Sequence, residues 1–309
     1  MKILITGGAG FIGSSILDEV LKMGWNPIVI DNLSTGKISH IPDGVPFYQL
    51  DVRSPEIKRV FKEQKPEAVI HEAAQVSVGY SEQSPFADGD ANIMGTINLL
   101  QNCVENRVSK FICASSAAVY GAGDHVPLTE DCPQKPISFY GLSKHTAEQY
   151  VRLFGSTFDL NFTILRYANV YGMRQNHSKE SGVISIFVNR LIRKRPLEVY
   201  GDGEQTRDFV FVRDVAKANI QAILYGDRDT FNISTNCPIT LNELIARLKK
   251  TACQAAEVSH LNARNGDIRN SSLCNKKAKR LLMWGPEVGL DQGLAETIDY
   301  YRDQLVNVK

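Results

Sequence analysis

No stretch of the 309-residue chain is apolar for long enough to suggest a membrane span. Opposite charges nearly cancel: 35 Lys and Arg stand against 34 Asp and Glu. That balance excludes the strongly basic surface of a nucleic-acid binder or a polybasic membrane anchor, and the short basic runs Arg190 to Arg195 and Asn275 to Arg280 read as solvated helix faces. The six cysteines (Cys103, Cys113, Cys132, Cys237, Cys253 and Cys274) contain no C-x-x-C and no other metal spacing. They read as reduced, packed thiols. The histidines are scattered as well. Only His71, at the end of the apolar run Ala68 to Ile70, falls near a candidate site; it lacks a partner at ligand spacing and reads as structural, so no metal is expected. No signal-peptide pattern, repeat or low-complexity tract appears, and the expectation is a cytoplasmic protein. Hydrophobic residues make up 43% of the chain, enough for a sizeable core in one large domain or two smaller ones.

What the chain does have begins at once. Lys2 to Thr6 reads as a short buried strand, Gly7-Gly8-Ala9-Gly10-Phe11-Ile12-Gly13 follows, and then a helical pattern runs from Ser14 to Met23. Gly8, Gly10 and Gly13 satisfy G-x-G-x-x-G in the strand, turn and helix order that a dinucleotide site requires. Missing Cβ atoms permit the tight turn and close pyrophosphate approach, and the helix N-terminus faces the anion. A second strand, Pro27 to Ile30, ends in Asp31, placed to accept hydrogen bonds from adenosine ribose hydroxyls. A carboxylate there repels a 2′-phosphate, and Asn32 to Gly36 contains no arginine to receive one. NAD is therefore expected over NADP; Lys37, beyond the glycine, reads as solvated.

Strands and helices alternate through the first half: a short strand at Phe47 to Leu50 ending in Asp51, the strand reaching His71, a long helix around Ala91 to Asn106, the strand Lys110 to Ser115, a helix from Tyr140 to about Phe158, and the strand Phe162 to Arg166. This is the pattern of an α/β, Rossmann-type doubly wound parallel sheet, with ligands beyond the strand carboxyl ends. Asp31, Asp51, Ala73, Ser115, Ser116 and Asn169 all fall on that rim. Past Tyr171 the pattern loosens: a polar loop from Gly172 to Gly182, a basic helix to Arg195, a strand at Leu197 to Tyr200, apolar strand character at Arg207 to Val212, and helices at Leu241 to Lys250, Lys276 to Met283 and Gln292 to Leu305. The expected division is an NAD-binding domain over residues 1–170, with a return near 207–235, and a smaller interleaved α/β substrate domain over 171–309.

Tyr140 and Lys144 are spaced to share one helical face, where an ammonium favours phenolate over phenol. With Ser115-Ser116 on the rim, they supply acid/base apparatus for alcohol oxidation and its reverse.

Together these segments resemble the UDP-glucose 4-epimerases (UDP-galactose 4-epimerases) of the extended short-chain dehydrogenase/reductase superfamily. The matching motifs are Thr6-Gly7-Gly8-Ala9-Gly10-Phe11-Ile12-Gly13, Asp31-Asn32-Leu33, His71-Glu72-Ala73-Ala74, Ser115-Ser116-x-x-Val119-Tyr120-Gly121, Tyr140-x-x-x-Lys144, Arg166-Tyr167-x-Asn169-Val170-Tyr171-Gly172, Gly201-Asp202-Gly203-x-Gln205-Thr206-Arg207-Asp208 and Arg264-x-Gly266-Asp267. Related 4,6-dehydratases and decarboxylases carry acidic residues where this chain has Ala117 and Ala118, and two methyl groups can serve as neither general acid nor base.

The resemblance implies that Tyr140 removes the sugar 4-hydroxyl proton, Ser116 hydrogen-bonds the same oxygen and Lys144 holds the nicotinamide ribose. It places NAD on Gly7, Gly10, Phe11, Ile12, Gly13, Asp31, Asn32, Ser34, Thr35, Gly36, Asp51, Val52, Ala73, Ala74, Gln75, Asn92, Ser115, Tyr140, Lys144 and Tyr167. The nucleotide sugar falls to Ser77, Ser116, Tyr140, Asn169, Val183, Val199, Tyr200, Gln205, Arg207, Arg264, Asp267 and Ser271. Arg207 and Arg264 suit the diphosphate and Asp267 the uridine ribose. In several epimerases a lysine lies beside the cofactor where this chain has Val76. A tyrosine at the place of Ser271 restricts family members to unacetylated hexoses, so UDP-GlcNAc and UDP-GalNAc are expected substrates beside UDP-glucose and UDP-galactose. Other readings are a UDP-glucuronate epimerase, a nucleotide-ketosugar reductase and a catalytically idle NAD-binding regulator. The resemblance also implies a homodimer paired through the helices Ala91–Asn106 and Tyr140–Phe158.

Overall fold

The computed structural model describes residues 1–123, 125–176, 182–263 and 268–306. Seven strands form one all-parallel sheet: β1 (Lys2–Thr6), β2 (Asn26–Ile30), β3 (Phe47–Tyr48), β4 (Ala68–His71), β5 (Lys110–Ser116), β6 (Phe162–Tyr167) and, arriving much later in the chain, β11 (Asp229–Ile233). Their spatial order is β3-β2-β1-β4-β5-β6-β11. The order reverses beside β1, so the crevice between the carboxyl ends of β1 and β4 is the switch point at which such sheets bind ligands. β4, β5 and β6 are buried almost throughout, as strands covered on both faces must be. The doubly wound sheet expected from the alternation is present.

Helices cover both faces. α1 (Phe11–Lys22) and α8 (Val212–Leu224) pack on one side, burying Ile16, Leu17, Val20, Val215 and Ala218 against Ile3, Ile5 and Ile112. α2 (Ile57–Gln64), α5 (Gly95–Glu105) and α6 (Phe139–Phe158) cover the other, with Leu99, Cys103 and Val151 against Leu4, Val69 and Phe111. α1 ends in a Schellman turn: Gly24 takes φ +69°, and the Trp25 and Gly24 amides donate to Val20 and Leu21.

The long helix expected near residues 91–106 is built differently. α3 (Val78–Gln83) and α4 (Pro85–Gly89) lead into a π-helical turn at Asp90–Met94, and only then does α5 begin. The extra residue in that turn is a tertiary adjustment that helical periodicity does not encode. Gly95 lies so close to β3's following loop that a Cβ would come within 2.7 Å of Val52.

A third apolar cluster joins β7 (Asn169–Tyr171), α7 (Val183–Ile192), β8 (Leu197–Tyr200), β10 (Phe209–Phe211), β12 (Ile239–Thr240), α9 (Leu241–Ala252), β13 (Val258–Leu261) and α11 (Leu290–Val306); the short β9 (Thr206–Arg207) adds no apolar side chain to it, and α10 (Lys276–Leu281) buries Ala278 in the first cluster. Here β10 pairs with β7, β12 with β9 and β13 with β8. α9 opens with a reciprocal Thr240/Glu243 capping box. The apolar run Arg207 to Val212 divides because Asp208 turns inward to accept from the Thr235 and Asn236 amides, and Val212 already begins α8.

Candidate active site

The first wall of the site is the glycine turn after β1. Gly7 adopts φ +70° and donates to Ile30 O at 2.8 Å, and the Gly10 amide closes the turn on Gly7 O at 3.0 Å. A Cβ on Gly13 would lie 2.1 Å from Gly7 O, and one on Gly7 would lie 2.8 Å from Ala73 N. No side chain caps α1, and its first intrahelical bond is Ser14 N to Gly10 O. The Phe11, Ile12 and Gly13 amides are therefore the exposed positive end of the dipole, aimed at the rim.

Asp31 is buried beside this turn. One carboxylate oxygen accepts from Ala9 N at 3.0 Å and the other from Leu33 N at 2.8 Å, so each keeps a further lone pair. Gly36 permits close approach: a Cβ there would meet Ala9 at 2.9 Å and the Asp31 carboxylate at 3.0 Å. Ser34 and Thr35 are exposed on the intervening loop, whose Asn32 accepts from Ser34 N at 3.0 Å. Lys37 is exposed, but its amide, at 3.0 Å, and His40 Nδ1, at 2.9 Å, both reach Ala9 O. The cradle, the unfilled helix terminus and the spare acceptors of Asp31 fit a dinucleotide lacking a 2′-phosphate.

Asp51 behaves differently. Its four acceptor positions take the Arg53 amide and Nε on one oxygen and Arg53 Nη2 with Asn32 Nδ2 on the other, at 2.7–2.9 Å. The Arg53 guanidinium holds this carboxyl well below the usual carboxylate range and extends to Asp90 at 2.6 Å. Asp51 thus ties the β3 loop to the π-helical turn. Val52 is buried, and its carbonyl accepts from Asn98.

Beyond β4, Ala73 N donates to Thr6 Oγ1 at 3.3 Å and Ala74 follows partly buried. The π-helical turn presents Asn92, whose carbonyl oxygen accepts from Gln75 N at 2.8 Å while its amide donates to Ser143 Oγ at 3.0 Å. Gln75 in turn donates to Asp88 at 2.6 Å. Ser77 caps α3 by accepting from Tyr80 N, and Val76 is 66% exposed. His71 is structural. Thr96 spends its proton on Asn92 O at 2.6 Å, so His71 Nε2 donates to Thr96 and Nδ1 accepts from Thr6. Burial pushes the imidazole down to about 3, which keeps that neutral tautomer.

The acid/base wall joins β5 to α6. Ser116 ends β5 and caps the short 3₁₀ turn Ala117–Tyr120, its Oγ accepting from Ala118 N at 3.1 Å. The hydroxyl proton therefore remains available to a ligand. α6 docks on this turn through Gly141, where a Cβ would sit 2.6 Å from Ala118 O. Tyr140, one residue earlier, has its amide fixed by Ser81 Oγ at 3.1 Å. One helical turn on, Lys144 is buried and donates to Ala114 O at 3.0 Å, which leaves two of its three N–H groups.

Beneath Ser116 lies a charged network that the sequence reading did not find. Glu148 accepts from Ser115 Oγ at 2.6 Å and from the Arg166 fork at 2.9 and 2.6 Å, both charged side chains being fully buried. Arg166 also donates to Tyr120 OH at 2.8 Å, and Tyr120 passes its proton to Asn232 at 2.8 Å. An arginine inside the apolar strand Phe162 to Tyr167 was the available signal, since a buried charge requires a partner. A second unforeseen group is Glu72, which accepts from Tyr167 OH at 2.6 Å.

The opposite bank carries the expected sugar-nucleotide residues. Asn169 is exposed on β7 and Val183 opens α7 half-buried. Val199 is fully buried in the third core and pairs with His260 of β13, so its side chain is withheld from a ligand. Gln205 Nε2 donates to Tyr200 O at 2.8 Å, while its buried Oε1 has no partner. Arg207 is half-buried and donates to Thr206 O at 2.8 Å, and the Ser271 amide reaches the same carbonyl at 3.2 Å, so these two residues are neighbours. Arg264 and Asp267 lie outside the described residues. Among the described residues no His, Cys, Asp and Glu side chains cluster as metal ligands, and no helix is long and apolar enough to cross a membrane.

Comparison with known proteins gives the same reading. Residues 3–234 match the model of the NAD dependent epimerase/dehydratase family. The chain is 39% identical over 302 residues to the putative UDP-glucose 4-epimerase of Methanocaldococcus jannaschii, covering 97% of this chain and 98% of that protein. It superimposes with a TM-score of 0.97 on the UDP-glucose 4-epimerase of Thermotoga maritima solved with UDP-glucose, at 41% identity and covering 99% and 100% of the two chains. The UDP-N-acetylglucosamine 4-epimerase of Methanobrevibacter ruminantium M1, solved with UDP-N-acetylmuramic acid, is similar at 30% identity, a TM-score of 0.94 and 98% of each chain. The chain belongs to the NAD dependent epimerase/dehydratase family and is an enzyme of the extended short-chain dehydrogenase/reductase type, with NAD as its cofactor.

Proposed function

We propose that the protein interconverts the C4 epimers of UDP-hexoses, UDP-glucose with UDP-galactose and UDP-GlcNAc with UDP-GalNAc, through a transient 4-ketosugar. The observation that carries this is the composition of the acid/base wall. Ser116 ends β5, Tyr140 stands one helical turn before Lys144 on α6, and the turn after Ser116 carries only Ala117 and Ala118 where the related dehydratases have acidic residues. One proton-transfer group suffices for oxidation at one carbinol and its reversal.

Bound in this cleft, NAD would supply the hydride acceptor and then the hydride donor for C4. Tyr140 takes the 4-hydroxyl proton and later gives it back. Ser116, whose lone pair is committed to Ala118 N, donates its own proton to the same sugar oxygen. Lys144 is fixed on Ala114 O, and its remaining N–H groups would hold the nicotinamide ribose. The amides of Phe11, Ile12 and Gly13 would hold the phosphates of NAD, and Asp31 would hold its adenosine ribose. On the other bank Arg207, with Arg264, holds the UDP diphosphate while the sugar stays loosely gripped and free to turn. Ser271, placed beside Arg207 by its bond to Thr206, leaves room for an N-acetyl arm at C2.

A homodimer fits this reading. Phe139, Leu142, Tyr150 and Leu153 form an exposed apolar stripe on α6, with Phe86 and Met94 exposed on the neighbouring α4 and π-helical turn. A second copy, paired helix to helix, would cover both. Six free thiols agree with a cytoplasmic location.

The deciding experiment incubates the purified protein with UDP-glucose and NAD. UDP-galactose formed without net NADH is the expected result; stoichiometric NADH would identify a net oxidoreductase and overturn the proposal.

A further inference from the structure

The mechanism above does not use Glu72, yet the fold places it with care. It follows β4 directly, its amide bonded to Thr6 O at 3.2 Å, and a Cβ on Gly7 would lie 3.1 Å from its carbonyl carbon. The residue therefore sits at the switch point of the sheet, between the glycine turn and Lys144. His71 turns toward α5, and Glu72, next in the strand alternation, turns to the opposite face. There it meets Tyr167 at the end of β6 and, through Tyr167, Asn219 on α8.

The direction of these hydrogen bonds is fixed. Asn219 Nδ2 donates to Val215 O at 3.0 Å and to Tyr167 OH at 2.8 Å, so the phenolic oxygen is an acceptor toward α8 and its single proton goes to Glu72. A chain of donors thus ends on this carboxyl group. The titratable groups facing it are Lys144 from α6, Tyr167 from β6 and Cys113 from β5. Burial pushes the Cys113 thiol up to about 12 and the Tyr167 phenol well above its usual value, and neighbouring His71 is neutral. Arg166 and Glu148 compensate one another. Arg152 also approaches Glu148, at 3.6 Å, and Lys144 is the cation that acts on Glu72 itself. Burial pushes Glu72 up to about 7, against the opposing pull of the Tyr167 hydrogen bond and of Lys144.

We propose that the Glu72 carboxyl, held by Tyr167 at the switch point of the sheet, makes the site favour oxidised over reduced NAD. This rests on the reading of the rim as the nicotinamide site. A carboxylate attracts the cationic oxidised ring and has no such attraction for the neutral reduced ring. The preference therefore grows as Glu72 loses its proton, and reduction of the bound cofactor draws a proton from solvent onto Glu72 by linkage.

The test equilibrates the holoenzyme, without any sugar, in defined mixtures of NAD and NADH at pH 6 and pH 8.5, and measures the ratio of bound nucleotides after release. In the parent protein the preference for NAD should rise by about fivefold or more across that interval, a difference within one pKa unit of coupling. In Glu72→Gln it should stay level. Tyr167→Phe removes the donor that favours the carboxylate, so the rise should move to higher pH, which a purely structural role for either residue does not predict. A level ratio in the parent, or the same rise in Glu72→Gln, would overturn the proposal. Because no sugar is present, a protein that epimerises UDP-glucose yet shows a level ratio would defeat this inference alone.

Discussion

Replacing Glu148 by alanine tests whether the acid/base wall rests on its buried ion pair. Glu148 accepts three short hydrogen bonds, two from Arg166 and one from Ser115, at full burial. Its removal leaves Arg166 with Tyr120 OH at 2.8 Å and Glu130 O at 3.4 Å, and takes away the carboxylate hydrogen-bonded to it. Breaking one partner out of a buried pair costs about 3–5 kcal/mol. With about 2.1 cal/mol/K of unfolding entropy per residue, a 309-residue chain changes stability by about 0.65 kcal/mol/K, so the melting midpoint should fall by about 5–8 °C. Differential scanning calorimetry reads this directly. The double variant Arg166→Met/Glu148→Leu, which removes both charges, should recover about half of the loss or more, because desolvation of the charges disappears with them. Activity should fall as well in Glu148→Ala, since Ser115 loses its acceptor next to Ser116. A midpoint within 1–2 °C of the parent, or a double variant worse than both singles, would refute the claim that this pair carries its own desolvation and holds the wall in place.

Tyr140→Phe should lower kcat by at least ~10²-fold with NAD and UDP still bound, because only the proton-transfer group is lost; turnover within a few-fold of the parent would rule Tyr140 out. Asp31→Ala should weaken NAD and narrow the preference against NADP, as both an acceptor and a repulsive charge disappear; unchanged affinities measured by calorimetry would sink the ribose assignment. Ser271→Tyr should suppress turnover of UDP-GlcNAc and UDP-GalNAc far more than of the plain pair. Equal losses on both pairs, or a parent inactive on the acetylated sugars, would show that another side chain fills that space.

Local chemistry made the nucleotide turn legible. Gly7 and Gly13 declare contacts that no side chain tolerates, and the alternation of β1 to β6 with helices fixes the sheet's layering before any contact is known. What stayed hidden depends on residues distant in sequence. Glu148 and Arg166 look like an ordinary helix carboxylate and a misplaced strand arginine until the fold superposes them. The π-helical turn at Asp90–Met94 has the composition of plain helix, and only the convergence of Gln75, Asp88 and Ser143 on Asn92 accounts for it. Val199 shows the converse: the resemblance assigns it to the nucleotide sugar, but strand alternation sends its side chain into the core. Glu72 was visible inside a recognised motif and passed over, since nothing in His71-Glu72-Ala73-Ala74 announces that Tyr167 donates to it.

The position of β11 bears on how molecules enter and leave. This strand closes one edge of the seven-stranded sheet, yet the chain reaches it only after β7, α7, β8 and β10 have been laid down on the other bank, and it then departs again to β12 and α9. The two banks are laced together, with Arg174 adding a stitch from the loop after β7 to Asp18 on α1 at 2.8 Å. A clamshell swing about one hinge would have to stretch every one of those crossings at once. Traffic through the cleft is therefore expected to proceed by rearrangement of the rim loops, and a chain cut after β11 would keep β7, α7, β8 and β9 while losing β13 and β12, the strands that pair with β8 and β9, and would strip the sheet of α10, which packs back against β11, and of the Trp284 bond to Asp214 O on α8.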